Sequence, residues 1–191
     1  MTDRSRGWLI EIGQTLILTV VIFLVVQTFV AQPYEVLQVS MERTLEPGHH
    51  VLVDKLSPRW DEYSRGDIVV FRAPDEETDS VPFIKRVIGV PGDTVEIRQG
   101  SVIVNGQPLD ESGYVYDDQP TQATGDTSRF TVEPGTLFVM GDHRMQSQDS
   151  RSFGPVPLAN VLGRAVIRYW PIDQLGILDT PRYPDFQAAT R

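Results

Sequence analysis

From Ile12 to Tyr34 the chain carries no charged residue, and the stretch "TLILTVVIFLVVQTFVA" inside that run is mostly Leu, Ile, Val and Phe. A helix needs about 20 such residues, at about 1.5 Å rise each, to cross the hydrocarbon core of a bilayer. Residues 1–34 therefore read as a short N-terminus followed by one transmembrane helix, with Trp8 and Tyr34 at the two headgroup levels. Arg4 and Arg6 precede the span, whereas residues 31–42 contain no Lys or Arg. By the positive-inside rule the N-terminus is cytoplasmic and everything after the span lies outside the cytoplasmic membrane. A cleaved signal peptide fits less well, because Phe29 stands two residues before Ala31, where cleavage wants a small side chain.

The rest of the 191-residue chain is long enough for one hydrophobic core, which we place in a single domain over residues 35–178. With 17 basic and 26 acidic residues the net charge is -9, and no basic stripe forms, which argues against nucleic acid as a partner. The chain has no cysteine, so it can form no disulfide and offers no thiol nucleophile or thiolate metal ligand. The bilayer is the expected partner, and a monomer is assumed.

After Pro33 the pattern turns extended. "YEVLQV", "HHVLVDKL", "GDIVVFRA", "FIKRVIGV", "DTVEIRQ", "SVIVNGQ", "GTLFVMGD" and "RAVIRYW" are short runs rich in β-branched and aromatic residues, separated by Gly- and Pro-containing turns. These predict a mainly β domain of sandwich or barrel type, with its clearest hairpins at Gln-Gly and Asn-Gly in "EIRQGSVIVNGQPL". Residues 74–81 and 111–129 read as polar surface insertions, and residues 179–191, with two prolines and no periodicity, as a flexible tail.

Ser40, a few residues past the span, needs a base before its hydroxyl becomes a useful nucleophile. His49 and His50 read as exposed turn residues, with no metal-ligand spacing around them. His143 has Asp142, Ser147, Asp149 and Ser150 nearby in sequence, which leaves a Ser-His arrangement open, since such sites are defined by spatial geometry. Lys85, in the apolar run "PFIKRVIGVPGD", is the other candidate. Either Lys85 or Arg86 must face inward, and a buried lysine loses proton affinity until it can act as a base. An edge-strand lysine that discourages aggregation is the bland alternative.

"SMERTL", "RGDIVVF", "FIKRVIGVPGD" and "GDHRMQSQDSRSFGPV", in that order after a membrane span, resemble the sequence boxes of bacterial type I signal peptidases, and "GRAVIRYWP" is similar to the family's closing strand. The resemblance runs from the span to about residue 171. It implies a cofactor- and metal-free Ser-Lys endopeptidase that removes signal peptides from exported preproteins after small residues. Carried over by motif, Ser40 is the nucleophile and Lys85 the general base. The Ser40 backbone N–H is an oxyanion donor, Ser147 orients the lysine, Asp149 and Arg151 form a supporting ion pair, and Gly141 and Asp142 open the last box in a tight turn.

Three positions depart from the family pattern. Gln38 replaces a small residue two positions before the nucleophile, where its amide would either donate to the oxyanion or crowd it. Arg43 stands where proline is usual, a change expected to free the turn and add a charge, and His143 stands where asparagine is usual. An impaired, membrane-anchored binding relative is the alternative that these changes leave open. A self-cleaving repressor with the same dyad would need a DNA-binding head, and the span occupies that place.

Overall fold

The structure is a computed structural model that describes residues 3–74, 81–125, 128–181 and 183. The core of the 74–81 insertion, two residues of the 111–129 insertion, and residues 182 and 184–191 of the expected tail lie outside the described residues, as do the side chains of Arg4 and Arg6.

Helix α1 (Asp3–Phe29) leads the chain, and its segment Glu11–Phe29 is 19 residues long, fully unburied, and apolar and long enough to cross a membrane. The helix stops earlier than the uncharged run suggests. Residues Ala31–Glu35 form strand β1, paired antiparallel with β2 (His50–Asp54), so that Ala31 faces Asp54 and Glu35 faces His50. Tyr34 is thus a strand residue, half-buried against a core cluster that includes Val36, Val51 and Val53. Lack of charge does not separate a lipid-facing helix from the start of a strand that has found a partner.

Ten further strands follow: β3 (Ile68–Phe71), β4 (Phe83–Gly89), β5 (Thr94–Arg98), β6 (Ser101–Val104), β7 (Gln107–Pro108), β8 (Arg129–Thr131), β9 (Thr136–Met140), β10 (Val156–Pro157), β11 (Val161–Trp170) and β12 (Gly176–Ile177). The larger sheet runs β1-β2-β11-β3-β4-β9-β10, with β12 alongside β11, and the smaller runs β7-β6-β5-β8. All pairings are antiparallel, and the larger sheet is open, with β1 and β10 at its edges. The mainly β expectation holds. Both expected hairpins form, with Gln99-Gly100 and Asn105-Gly106 at positive φ as tight two-residue turns require.

Strand β4 sits between β3 and β9 and is buried along its whole length. Successive side chains of a strand face opposite ways, so a strand covered on both faces must bury every residue, whatever its chemistry. Phe83 and Val87 enter one apolar cluster, with Phe71, Leu137 and Val139, and Ile84 enters another, with Met41, Leu45 and Ile68. Each such fully buried side chain contributes roughly 1.5–3 kcal/mol. Lys85 and Arg86, both 1% exposed, are held in place by this packing. The sequence reading allowed one of them inside, and the fold buries both.

Candidate active site

Past β1 the chain leaves the sheet, so the run "YEVLQV" ends its strand at Glu35 and reaches a single turn of 3-10 helix at Val39–Met41. Ser40 lies in that turn, 3% exposed. The first residues of a helical turn have no partner for their N–H within the turn, which leaves the Ser40 N–H a candidate donor. The Ser40 carbonyl accepts the His143 N–H at 3.0 Å.

Lys85 Nζ donates to Ser40 Oγ at 2.7 Å, and also to the Ile84 carbonyl at 3.1 Å. Positions 45 apart in sequence therefore meet as a hydrogen-bonded pair inside the protein. Burial pushes the Lys85 amine down from its ordinary 10.5 to about 8, against the opposing pull of Asp149 and then Asp142. At pH 8 about half of such lysines are neutral and able to accept a proton.

The supporting residues come from the loop after β9. Asp149 is fully buried, and its Oδ1 accepts Arg151 Nε at 2.8 Å while its Oδ2 accepts Arg151 Nη2 at 2.8 Å. Arg151 closes the ring by donating to the Arg144 carbonyl at 2.7 Å. The hydroxyl of Ser147 donates to Asp149 Oδ2 at 2.7 Å, not to the lysine. Ser147 therefore meets the site through the carboxylate that acts on Lys85, with its own oxygen left as an acceptor. Gly141 is where this loop crosses Ser40: a Cβ there would run into the Ser147 side chain and the Ser40 carbonyl. Any other residue would push the loop off the nucleophile's turn.

Asp142 serves the opposite face of β4. It is fully buried and takes a two-pronged pair from Arg86, Nε to Oδ1 at 2.8 Å and Nη2 to Oδ2 at 2.7 Å. Its Oδ2 also accepts the Thr44 hydroxyl at 2.6 Å. Tyr114 lies over the Arg86 guanidinium, 4.3 Å from ring centroid to Cζ.

Three expectations change. His49 is buried, not exposed, and its Nδ1 accepts the Glu46 N–H at 3.1 Å, because the turn after Pro47 folds the ring back onto its own backbone. His50 is half-buried against the Tyr169 ring, 5.7 Å away. His143 joins none of its neighbouring serines: Nδ1 meets Glu42 Oε2 at 2.7 Å, and the ring stacks on Tyr116 at 4.3 Å. The Ser150 hydroxyl instead receives the Val139 N–H at 3.0 Å. Among the described residues no Ser-His site is assembled.

Gln38 is exposed, and its side chain makes no hydrogen bond among the described residues. Arg43 is not loose. It adopts φ 81°, which proline with its ring-locked negative φ cannot reach, and its guanidinium donates to the Ser112 and Val115 carbonyls at 2.8 and 2.5 Å. The partners Glu42, Thr44, Glu111, Tyr114 and Tyr116 escaped the sequence reading. Only Glu42 and Thr44, close to Ser40, offered a local cue.

Residues 9–170 match the family model described as signal peptidase, peptidase S26. The chain is 39% identical over 183 residues to the signal peptidase I of Leptolyngbya laminosa, covering 93% of this chain and 88% of the relative. It is 37% identical over 180 residues to the signal peptidase I of Bacillus caldolyticus, covering 90% of this chain and 93% of the relative.

Proposed function

Because the chain belongs to the signal peptidase family, peptidase S26, and is a serine peptidase of the signal peptidase I type, we propose that it removes signal peptides from exported preproteins with a Ser40–Lys85 dyad. The contact that carries this reading is the buried 2.7 Å hydrogen bond between Lys85 Nζ and Ser40 Oγ. A neutral Lys85 takes the hydroxyl proton as Ser40 Oγ attacks the scissile carbonyl. The Ser40 N–H is one donor to the oxygen that becomes negative, and Gln38, exposed beside it, is a candidate second donor. A well-aimed donor of this kind is typically worth about 3 kcal/mol of barrier. The protonated Lys85 then gives its proton to the departing amine, which frees the mature protein and leaves the signal peptide esterified to Ser40. Neutral again, the lysine activates the water that releases it.

Ser147, Asp149 and Arg151 hold the lysine's surroundings, and Asp142 fixes Arg86 and Thr44 behind the nucleophile. Small residues before the cut are the expected preference, as in the A-x-A-like cleavage signal. In this reading α1 spans the cytoplasmic membrane with Arg4 and Arg6 inside, and the β domain works at the outer face, where preproteins emerge. The intact dyad contact favours an active enzyme over an impaired binding relative.

The test uses full-length protein in detergent or liposomes and a signal-bearing preprotein. Ser40→Ala and Lys85→Ala are each expected to lower cleavage at least about a thousandfold while far-UV circular dichroism stays unchanged. A wild type that leaves a range of such substrates uncut, or a Lys85→Ala variant that still cleaves at the wild-type rate, contradicts the reading.

A further inference from the structure

Arg43 is a residue under backbone strain at a functional position. A non-glycine, non-Asn side chain at φ 81° is uncommon, and such outliers persist only where the surroundings hold them. Here the holding groups are distant in sequence: the carbonyls of Ser112 and Val115, 69 and 72 positions away, and Asp118 Oδ1 at 3.0 Å. The Asp118 carboxylate is 78% exposed, so its ion pair adds little, and the two carbonyls do most of the holding. They are met by two N–H groups of one planar guanidinium, a fork that a lysine does not reproduce.

The segment that Arg43 grips is itself tied to the loop holding Ser40 from the other side. The Tyr116 N–H donates to the Asp142 carbonyl at 3.0 Å, and the Tyr116 ring stacks on His143. Glu111 pairs with Arg144 at 2.5 Å, and Val115 is buried. The His143 N–H holds the Ser40 carbonyl, and Glu42 pairs with the His143 ring. Contacts thus close into a ring: Ser40 turn, Arg43, residues 112–118, residues 142–144, and back to Ser40. A stretch that reads in sequence as a spare polar insertion is part of the frame around the nucleophile.

We infer that Arg43 is a positioning residue, whose guanidinium fork to Ser112 and Val115 holds the Ser40 turn against Lys85. This rests on the dyad reading above. The Arg43 guanidinium bonds to Ser112, Val115 and Asp118 and not to Ser40 Oγ or Lys85 Nζ, so its effect passes through the geometry of Ser40.

Glycine adopts positive φ without strain, so Arg43→Gly can keep the turn's backbone while it removes the fork together with the exposed Asp118 pair. In the preprotein assay with the full chain, Arg43→Gly is expected to lower kcat about tenfold, since displacing a reacting group by a fraction of an ångström is costly, while KM stays within about twofold. Arg43→Lys is expected to regain less than half of that loss, and Asp118→Ala to stay within about twofold of wild type. Thermal midpoints are read alongside. Should Arg43→Gly lose the fold, Arg43→Lys carries the test, and a wild-type kcat there overturns the proposal. An Arg43→Gly variant with wild-type kcat, or one whose loss lies wholly in KM, also overturns it. A wild type that does not cleave at all falls instead on the functional reading, and takes this proposal with it.

Discussion

Lys85 and Arg86 are neighbours on one strand, equally buried at 1% exposure, and their fates are opposite. Arg86 is met on its face of β4 by a carboxylate in two-pronged contact, so its charge is retained and its proton affinity is raised by Asp142 against the effect of burial. Lys85 is met on its face by a serine hydroxyl and a carbonyl, with Phe83 beneath it and the carboxylates acting without touching it. Burial then wins, and its pKa falls to about 8. A buried cation is stabilised or neutralised according to whether an anion touches it. One strand therefore supplies a structural charge on one face and a proton acceptor on the other.

The comparison breaks first on the Arg86 side. Removing Asp142 leaves a guanidinium buried without its partner, and breaking such a pair typically costs about 3–5 kcal/mol. Asp142→Ala is expected to lose that much stability in urea or thermal unfolding. If its midpoint stays at the wild-type value, the pair is not what holds Arg86. The Lys85 side responds with the other sign. A Lys85→Met substitution removes the burden of desolvating an amine and is expected to stabilise the protein near pH 6, by at most about 3 kcal/mol. Between pH 8 and 10.5 the unfolded wild type binds a proton that the folded form has released, so wild-type stability rises with pH across that window. The advantage of Lys85→Met should shrink accordingly, and a stability difference that is flat across the window would mean that Lys85 is not depressed.

What could be read from sequence follows from how local each cause is. The apolar helix is written in consecutive residues, and the Asn105-Gly106 turn in two, so both were legible. Ser40 and Lys85 were legible through ordered motifs, although what makes them a pair is the burial of β4, which no residue near Ser40 encodes. Tyr34 falls in a strand and not at the end of the helix because an uncharged run does not separate the two, and only pairing with β2 decides between them. The grip of Arg43 depends on groups brought in from another loop, 69 to 75 positions away. The sign of φ at an arginine leaves no trace in its side-chain chemistry. The Arg43 departure therefore read as a loosened turn, and in the fold it is a tied one.

The dependence of kcat/KM on pH for preprotein cleavage tests the central claim most directly, because it reports the free enzyme's essential base. With Lys85 as that base, activity should rise about tenfold per pH unit up to a bend near pH 8 and level off above it. A rate that stays flat from pH 6 to 9 would contradict a Ser40–Lys85 dyad.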